Sequence, residues 1–285
     1  MSGDPRIRQL LVDTLAVSAL RSVLEVARTV GVDVAPIKGV VLARWLYDTV
    51  VERPYRDLDL LVGRKGLPRL EAAVTARGWR IRHMSLEMGE LEFEVDRLVV
   101  EVHAEFGRRD LTRLSNEEVL ARARPDRETF PFEVLRVDDV DHLLLLAANV
   151  TKKSYTYANR HQPADLERLL LQLEKRWAEL AARAHAASFS TGLHSVAAWM
   201  AEERGSTVFA RFLAAFPPHE LRLLPTVIRV HRRLGDRRGN RLRSASGLLG
   251  LALATLTPDD WSLRARGFAR VVRRGLARRL GLDPG

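Results

Sequence analysis

Residues 53–62 read Arg-Pro-Tyr-Arg-Asp-Leu-Asp-Leu-Leu-Val. Arg53-Pro54 interrupts whatever precedes it, and residues 56–62 then read as a buried strand. Side chains at i and i+2 of a strand share a face, so Asp57 and Asp59 project together while Leu58, Leu60 and Leu61 go into a core. Two adjacent carboxylates repel unless a cation or a proton lies between them. Both are hard oxygen ligands of the kind magnesium takes when it also keeps water and phosphate oxygens. Taken alone, a D-x-D pair reads equally as two solvated acids at a strand end.

Upstream, apolar residues from Ile7 to Ala27 recur at helical spacing over residues 5–30, and Gly31 closes the pattern. A short apolar run, 32–37, is broken by Pro36 and ends at Lys38-Gly39, and 40–47 is helical again. A glycine between strand and helix lets backbone N–H groups approach a phosphate, and the helix N-terminus favours negative charge. An ordinary strand-to-helix turn carries the same two residues. Arg53 and Arg56 add two cations beside the acidic pair.

Downstream, 66–77 is a helix stopped by Gly78, and three alternating runs follow at 79–84, 91–95 and 98–105. The last two form a hairpin with Asp96-Arg97 at its tip. Residues 98–106 read LVVEVHAEF, so Glu101 sits among apolar neighbours, where a carboxylate needs a partner. His103 lies on the same face, as a ligand, a proton shuttle or a histidine satisfied beside acids.

From about residue 137 the pattern turns helical. Asp138 or Asp139 caps a helix through Leu146, and Pro163 opens another in which Leu166, Leu169, Leu170, Leu173, Trp177 and Leu180 make one stripe. The expected fold is α+β: a mixed sheet with flanking helices in a domain of residues 1–136, followed by a mostly helical domain of residues 137–285.

Composition bounds the chemistry. The 285 residues include no Cys, which excludes disulfides, thiolate metal sites and cysteine nucleophiles. The longest apolar run, 247–256, is half of the roughly 20 residues a membrane-crossing helix needs. With Asp4 and Asp13 near the start and no cleavable signal pattern, the expectation is a cytoplasmic protein. The net charge is +10, and residues 226–285, with 14 Arg, no Lys and 4 Asp, account for all of it. In that tail Thr257-Pro258-Asp259-Asp260 reads as a helix start, with Trp261, Ala265, Phe268, Val272 and Leu276 as its apolar seam. Such a helix docks on the body, binds phosphate-rich polymers or lies on anionic lipid; a solvated arginine face is the plain alternative.

The order strand, Lys38-Gly39, helix, Arg53-Pro54, D-x-D strand, helix and a hairpin with Glu101-Val102-His103 resembles the nucleotidyltransferase fold of the polymerase-β superfamily. It is most similar to the bacterial branch of uncharacterised nucleotidyltransferases over about residues 30–170. The resemblance implies that Asp57, Asp59 and Glu101 hold Mg2+, with Glu101 helping to activate the acceptor hydroxyl. It implies that Lys38 and Gly39, where many relatives carry Gly-Ser, meet the nucleotide phosphates, with Arg53, Arg56, Lys152 and Lys153 as further phosphate contacts. Asp165 would orient an acceptor.

The function so implied is transfer of a nucleoside monophosphate from an NTP, ATP among them, to an acceptor, with release of pyrophosphate. A small-molecule or peptide acceptor is favoured, and the Arg-rich tail admits RNA. Phosphoryl transfer at the same site and a degenerate, non-catalytic nucleotide- or nucleic-acid-binding module stand as the other readings.

Overall fold

The structure is a computed structural model, and it describes residues 4–86, 88–105, 112–152, 161–217, 259–260, 262–266 and 268–269. The chain divides into two compact units. One comprises Met1–Phe106 with Ser115–His142, the other Gly107–Leu114 with Leu143–Gly285.

The first unit opens with α1 (Pro5–Thr29). Asp4 caps it by accepting the Arg6 N–H at 2.8 Å, and Pro5 stands at its first turn. Gly31, at φ 59°, closes it while the Val32 N–H returns to the Ala27 carbonyl at 3.0 Å. Then follow β1 (Val34–Ile37), α2 (Gly39–Trp45), β2 (Asp57–Val62), α3 (Leu67–Ala76), β3 (Arg80–Ser85), β4 (Glu90–Val95) and β5 (Leu98–His103). Among the described residues these five strands form one mixed sheet in the order β1-β2-β5-β4-β3. Only β2 and β5 run parallel; the other pairings are antiparallel. Pro36 is accommodated because β1 is an edge strand, where one N–H row has no partner to lose. The β4–β5 hairpin turns through Asp96 and Arg97, both at positive φ (50° and 69°), as a two-residue connection requires.

The alternation of β2, β4 and β5 divides the sheet's faces. Leu58, Leu60, Phe93, Val100 and Val102 pack with Leu20, Val23 and Leu24 of α1 and Leu70 and Val74 of α3 into one buried cluster. Asp57, Asp59, Glu101 and His103 consequently lie on the opposite face. After the sheet come α4 (Asn116–Arg122), the short antiparallel strands β6 (Arg124–Asp126) and β7 (Val134–Arg136), and α5 (Asp139–Lys152), whose first residues belong to this unit.

In the second unit are α6 (Gln162–Gln172), a 3-10 turn (Glu174–Arg176), α7 (Trp177–Ala186), α8 (Ser190–Arg204) and α9 (Thr207–Ala215). The stripe from Leu166 to Leu180, expected on one helix, is thus shared by two. The Trp177 indole N–H donates to the Leu170 carbonyl at 3.0 Å, satisfying a last-turn acceptor of α6 from the side. Trp199, Phe189, Phe209 and Phe212 are fully buried here.

The expected seam of the tail helix is corrected where it is described. Asp260 accepts the Ser262 N–H at 2.6 Å, so the helical turn starts after it; Leu263 is buried, while Ala265 and Phe268 are exposed. Thr257, Pro258, Trp261, Val272 and Leu276 lie outside the described residues. No helix among the described residues is long and apolar enough to cross a membrane.

Candidate active site

The parallel ladder sets Asp59 directly opposite Glu101, with Asp57 opposite Val99 and Leu61 opposite His103. Among the described residues, one ligand atom each from Asp59, Glu101 and His103 lie within 4.8 Å of one another. His103 Nε2 stands 2.9 Å from Asp59 Oδ1 and 3.8 Å from Glu101 Oε2. Asp57 enters the same face two residues before Asp59 along β2. The three acids expected from the sequence therefore share one sheet face. The Glu101 side chain is 38% exposed, whereas that of Asp59 is only 6% exposed.

Lys38 completes the cluster. Its Nζ donates to Asp59 Oδ1 at 2.5 Å and lies 3.4 Å from His103 Nε2. It reaches there from an unusual backbone: Lys38 precedes α2 with φ 54° and ψ −126°, a region that residues other than glycine rarely enter. Gly39 follows and is buried under the 53–55 segment. A Cβ on it would meet Tyr55 Cβ at 2.7 Å and Arg53 Nη1 at 3.1 Å. Close packing beneath Tyr55 is thus a physical reason for this glycine, and it brings Arg53 to the Lys38-Gly39 turn. Arg53 is buried; Arg56 is exposed just before β2.

The 53–55 segment is itself held. The Tyr55 hydroxyl donates to Asp13 at 2.6 Å, and Arg44 of α2 grips both oxygens of that carboxylate. Burial and the Asp13 hydrogen bond push the Tyr55 hydroxyl far above its ordinary range, so it stays a donor.

The electrostatics separate the acids. Burial works against ionisation of Asp59, but the Lys38 ammonium and His103 outweigh it and hold the carboxyl well below the usual range. Burial, then the charge of Asp59, raises Asp57. Glu101 is pushed up to about 7 by burial, then by Asp59 and Asp57. Two carboxyls resisting ionisation beside a third that is fully ionised mark a site short of positive charge. A hard divalent cation fits such a site: Asp59, Glu101 and His103 could each offer it one ligand atom, and Asp57 lies on the same face.

Two contributors escaped the sequence reading. Asn116 Nδ2 donates to the carbonyls of Val62 (2.9 Å) and His103 (2.8 Å), tying together the ends of the two acid-bearing strands. Ser115-Asn116-Glu117-Glu118 is a capping-box pattern, and Ser115 indeed accepts the Glu118 N–H at 3.2 Å. The second is His142, buried in α5, whose Nε2 accepts the Lys38 N–H at 3.3 Å. Asp165 is fully buried in the second unit, in the first turn of α6. Lys152 ends α5, and Lys153 lies outside the described residues.

No curated protein matches the chain. Among solved structures it is similar to the antibiotic-resistance factor ANT(2'')-Ia, at 14% identity and a TM-score of 0.41, over 61% of this chain and 99% of that one. It is also similar to a chain of a tRNA-processing enzyme complex, at 15% identity and a TM-score of 0.26, over 86% of this chain and 89% of that one. Likenesses this distant say nothing of an acceptor. The family model described as uncharacterised nucleotidyltransferase matches residues 9–204, which span both the acid-bearing sheet and the helices that follow it. The chain belongs to this family of uncharacterised nucleotidyltransferases.

Proposed function

We propose that the chain transfers a nucleoside monophosphate from an NTP to a hydroxyl-bearing acceptor and releases pyrophosphate, with Mg2+ as the cation. The observation that carries this reading is the convergence of Asp59, Glu101 and His103 from two parallel strands, with Asp57 on the same face. The acceptor oxygen bonds to the α-phosphorus, the bond from that phosphorus to the bridging oxygen of the β-phosphate breaks, and the acceptor proton leaves to a base. Glu101, partly open to solvent, is that base. Asp57 and Asp59 hold the metal together with Glu101. When bound, Mg2+ supplies Lewis-acid polarisation and neutralises charge on the leaving pyrophosphate. Lys38 brings an ammonium into the acid cluster and Arg53 a guanidinium to the adjoining turn, and both draw the triphosphate oxygens. His103 orients the Asp59 carboxylate. Arg56, Lys152 and Lys153 remain proposed phosphate contacts, and Asp165 a proposed acceptor contact. The acceptor we favour is a small molecule or peptide, with RNA as the alternative suggested by the Arg-rich tail.

A second reading, a non-catalytic nucleotide-binding module, is favoured by the Lys38–Asp59 ion pair, which neutralises one acid without a metal. Incubation with ATP labelled at the α- or the γ-phosphate, with small acceptors or total RNA, and with Mg2+ or a chelator, separates the readings. Magnesium-dependent incorporation of the α-label with pyrophosphate release is the expected result. Transfer of the γ-label means phosphoryl transfer, and ATP binding without transfer or metal dependence means the binding module.

A further inference from the structure

The last ladder pair of β1 joins Ile37 to Asp59. The next N–H, that of Lys38, leaves the sheet in a partly buried turn and needs an acceptor elsewhere. The same residue holds φ 54° and ψ −126°, a conformation unfavourable to an L-residue that persists where its surroundings over-determine it. From this twisted start the Lys38 carbonyl accepts the Leu42 N–H at 2.8 Å to begin α2, while the side chain reaches Asp59.

We infer that His142 is a positioning residue of this site: its Nε2 accepts the Lys38 N–H and fixes the strained turn that aims the Lys38 ammonium at Asp59. The function rests on the nucleotidyltransferase reading above, in which that ammonium meets the triphosphate.

The surroundings of His142 suit it to this one task. It is buried among the first residues of α5, with the Trp45 ring 6.3 Å away and the Arg136 guanidinium over that ring at 4.1 Å. Burial, with Arg136, Arg53 and Lys38 nearby, lowers its pKa to about 3, so the ring stays neutral and Nε2 keeps its lone pair. An aliphatic residue would fill the space and leave the Lys38 N–H buried without this acceptor. Among the described contacts His142 reaches the acid cluster through Lys38.

The test crosses two positions. His142→Leu removes the acceptor, and His142→Gln keeps an oxygen acceptor near the place of Nε2. Lys38→Gly removes the strain, because glycine enters the positive-φ region freely. Thermal unfolding and calorimetric titration with ATP and Mg2+ are measured on the full chain. In the Lys38 background, His142→Leu should lower the unfolding midpoint by about 4 °C and weaken ATP binding about tenfold, with His142→Gln recovering most of both. In the Lys38→Gly background, where glycine keeps the backbone N–H that His142 accepts, the same replacement should cost as much stability but leave the residual ATP affinity unchanged. An equal weakening of ATP binding in the two backgrounds, or a Gln variant no better than Leu, overturns the link to Lys38. A midpoint loss with ATP affinity unaltered overturns the positioning role. Should the unmutated chain bind no ATP at all, the nucleotide reading falls, and recovery of the midpoint by His142→Gln alone decides whether His142 holds the Lys38 turn.

Discussion

Asp59 and Glu101 stand opposite each other on the only parallel strand pair of the described sheet, yet they are ionised under very different conditions. Asp59 is almost fully covered, paired with the Lys38 ammonium and in hydrogen-bond contact with His103. Glu101 is more open, with Asp59 and Asp57 as like charges beside it and His103 Nε2 3.8 Å away. In the transfer proposed for this chain, that face would offer a fixed anion and a proton acceptor side by side.

Neutralising either aspartate should abolish transfer, with a loss of at least about a thousandfold, as for removal of an electrostatic stabiliser. The two variants should part on stability. Asp57→Asn relieves repulsion from Asp59 and should leave the fold unchanged or slightly firmer. Asp59→Asn deprives a mostly buried ammonium of its carboxylate and should cost about 2 kcal/mol. Denaturant unfolding beside a transfer assay checks both, and near-normal turnover of either variant would exclude the metal assignment.

The Glu101 shift fixes the sign of a pH effect in the metal-free chain. Its ordinary value is 4.5 and its folded value about 7, so between these the folded chain keeps a proton that the unfolded chain has released. Stability therefore falls as pH rises through that window and is unaffected by Glu101 below it. Glu101→Gln should remove this slope and make the metal-free chain firmer above pH 7. Solvent screening of a side chain 38% exposed limits the gain to about 1 kcal/mol. Magnesium should raise the unfolding midpoint of the unmutated chain and not of this variant, because binding stabilises only through a site that exists. Midpoints at several pH values, with and without magnesium, give both answers.

The D-x-D strand and the hairpin were legible because strand alternation and apolar neighbours are local signals, whereas only the resemblance joined Glu101 to the aspartate pair. The sequence offered no such guide to the Lys38–Asp59 ion pair, which depends on β1 lying antiparallel beside β2. His142 looked like one polar residue in an apolar helical run, and only the neighbouring turn reveals its use. Residues 112–136 gave no periodic pattern, although the Ser115 capping box marks the start of α4. The break between α6 and α7 was hidden because Trp177 continues the apolar stripe while its indole ends the helix before it.

Gly39→Ala tests whether the turn tolerates any thickness. The new methyl would press on Tyr55 Cβ at 2.7 Å, and the 53–55 segment would have to move. The expected cost is about 1–3 kcal/mol from overpacking, with loss of transfer, because Asp57 begins only two residues after Tyr55. Tyr55→Phe should cost about 1 kcal/mol by removing the hydrogen bond to Asp13, and should impair transfer far less. A fully active Gly39→Ala variant would show that the position of the 53–55 segment does not govern the site.

Asp259 makes the last prediction, in the second unit. Read from the sequence it belonged to the first turn of its own helix, but its carboxylate accepts the N–H groups of Ser190 (2.6 Å) and Thr191 (2.9 Å) at the start of α8. Phe189, which precedes α8, has no side-chain acceptor to offer, so a residue about 70 positions away supplies the cap. The adjoining Asp260 pairs with Arg113, and the Asp259 N–H donates to the Ser188 carbonyl at 3.2 Å, which fixes the segment in place. Asp259→Ala should therefore cost about 1–2 kcal/mol of stability, Asp259→Asn clearly less, and neither should change the chemistry at Asp57 and Asp59. Hydrogen exchange of the α8 amides locates the loss. Unchanged protection in Asp259→Ala would mean that α8 stands without this cap.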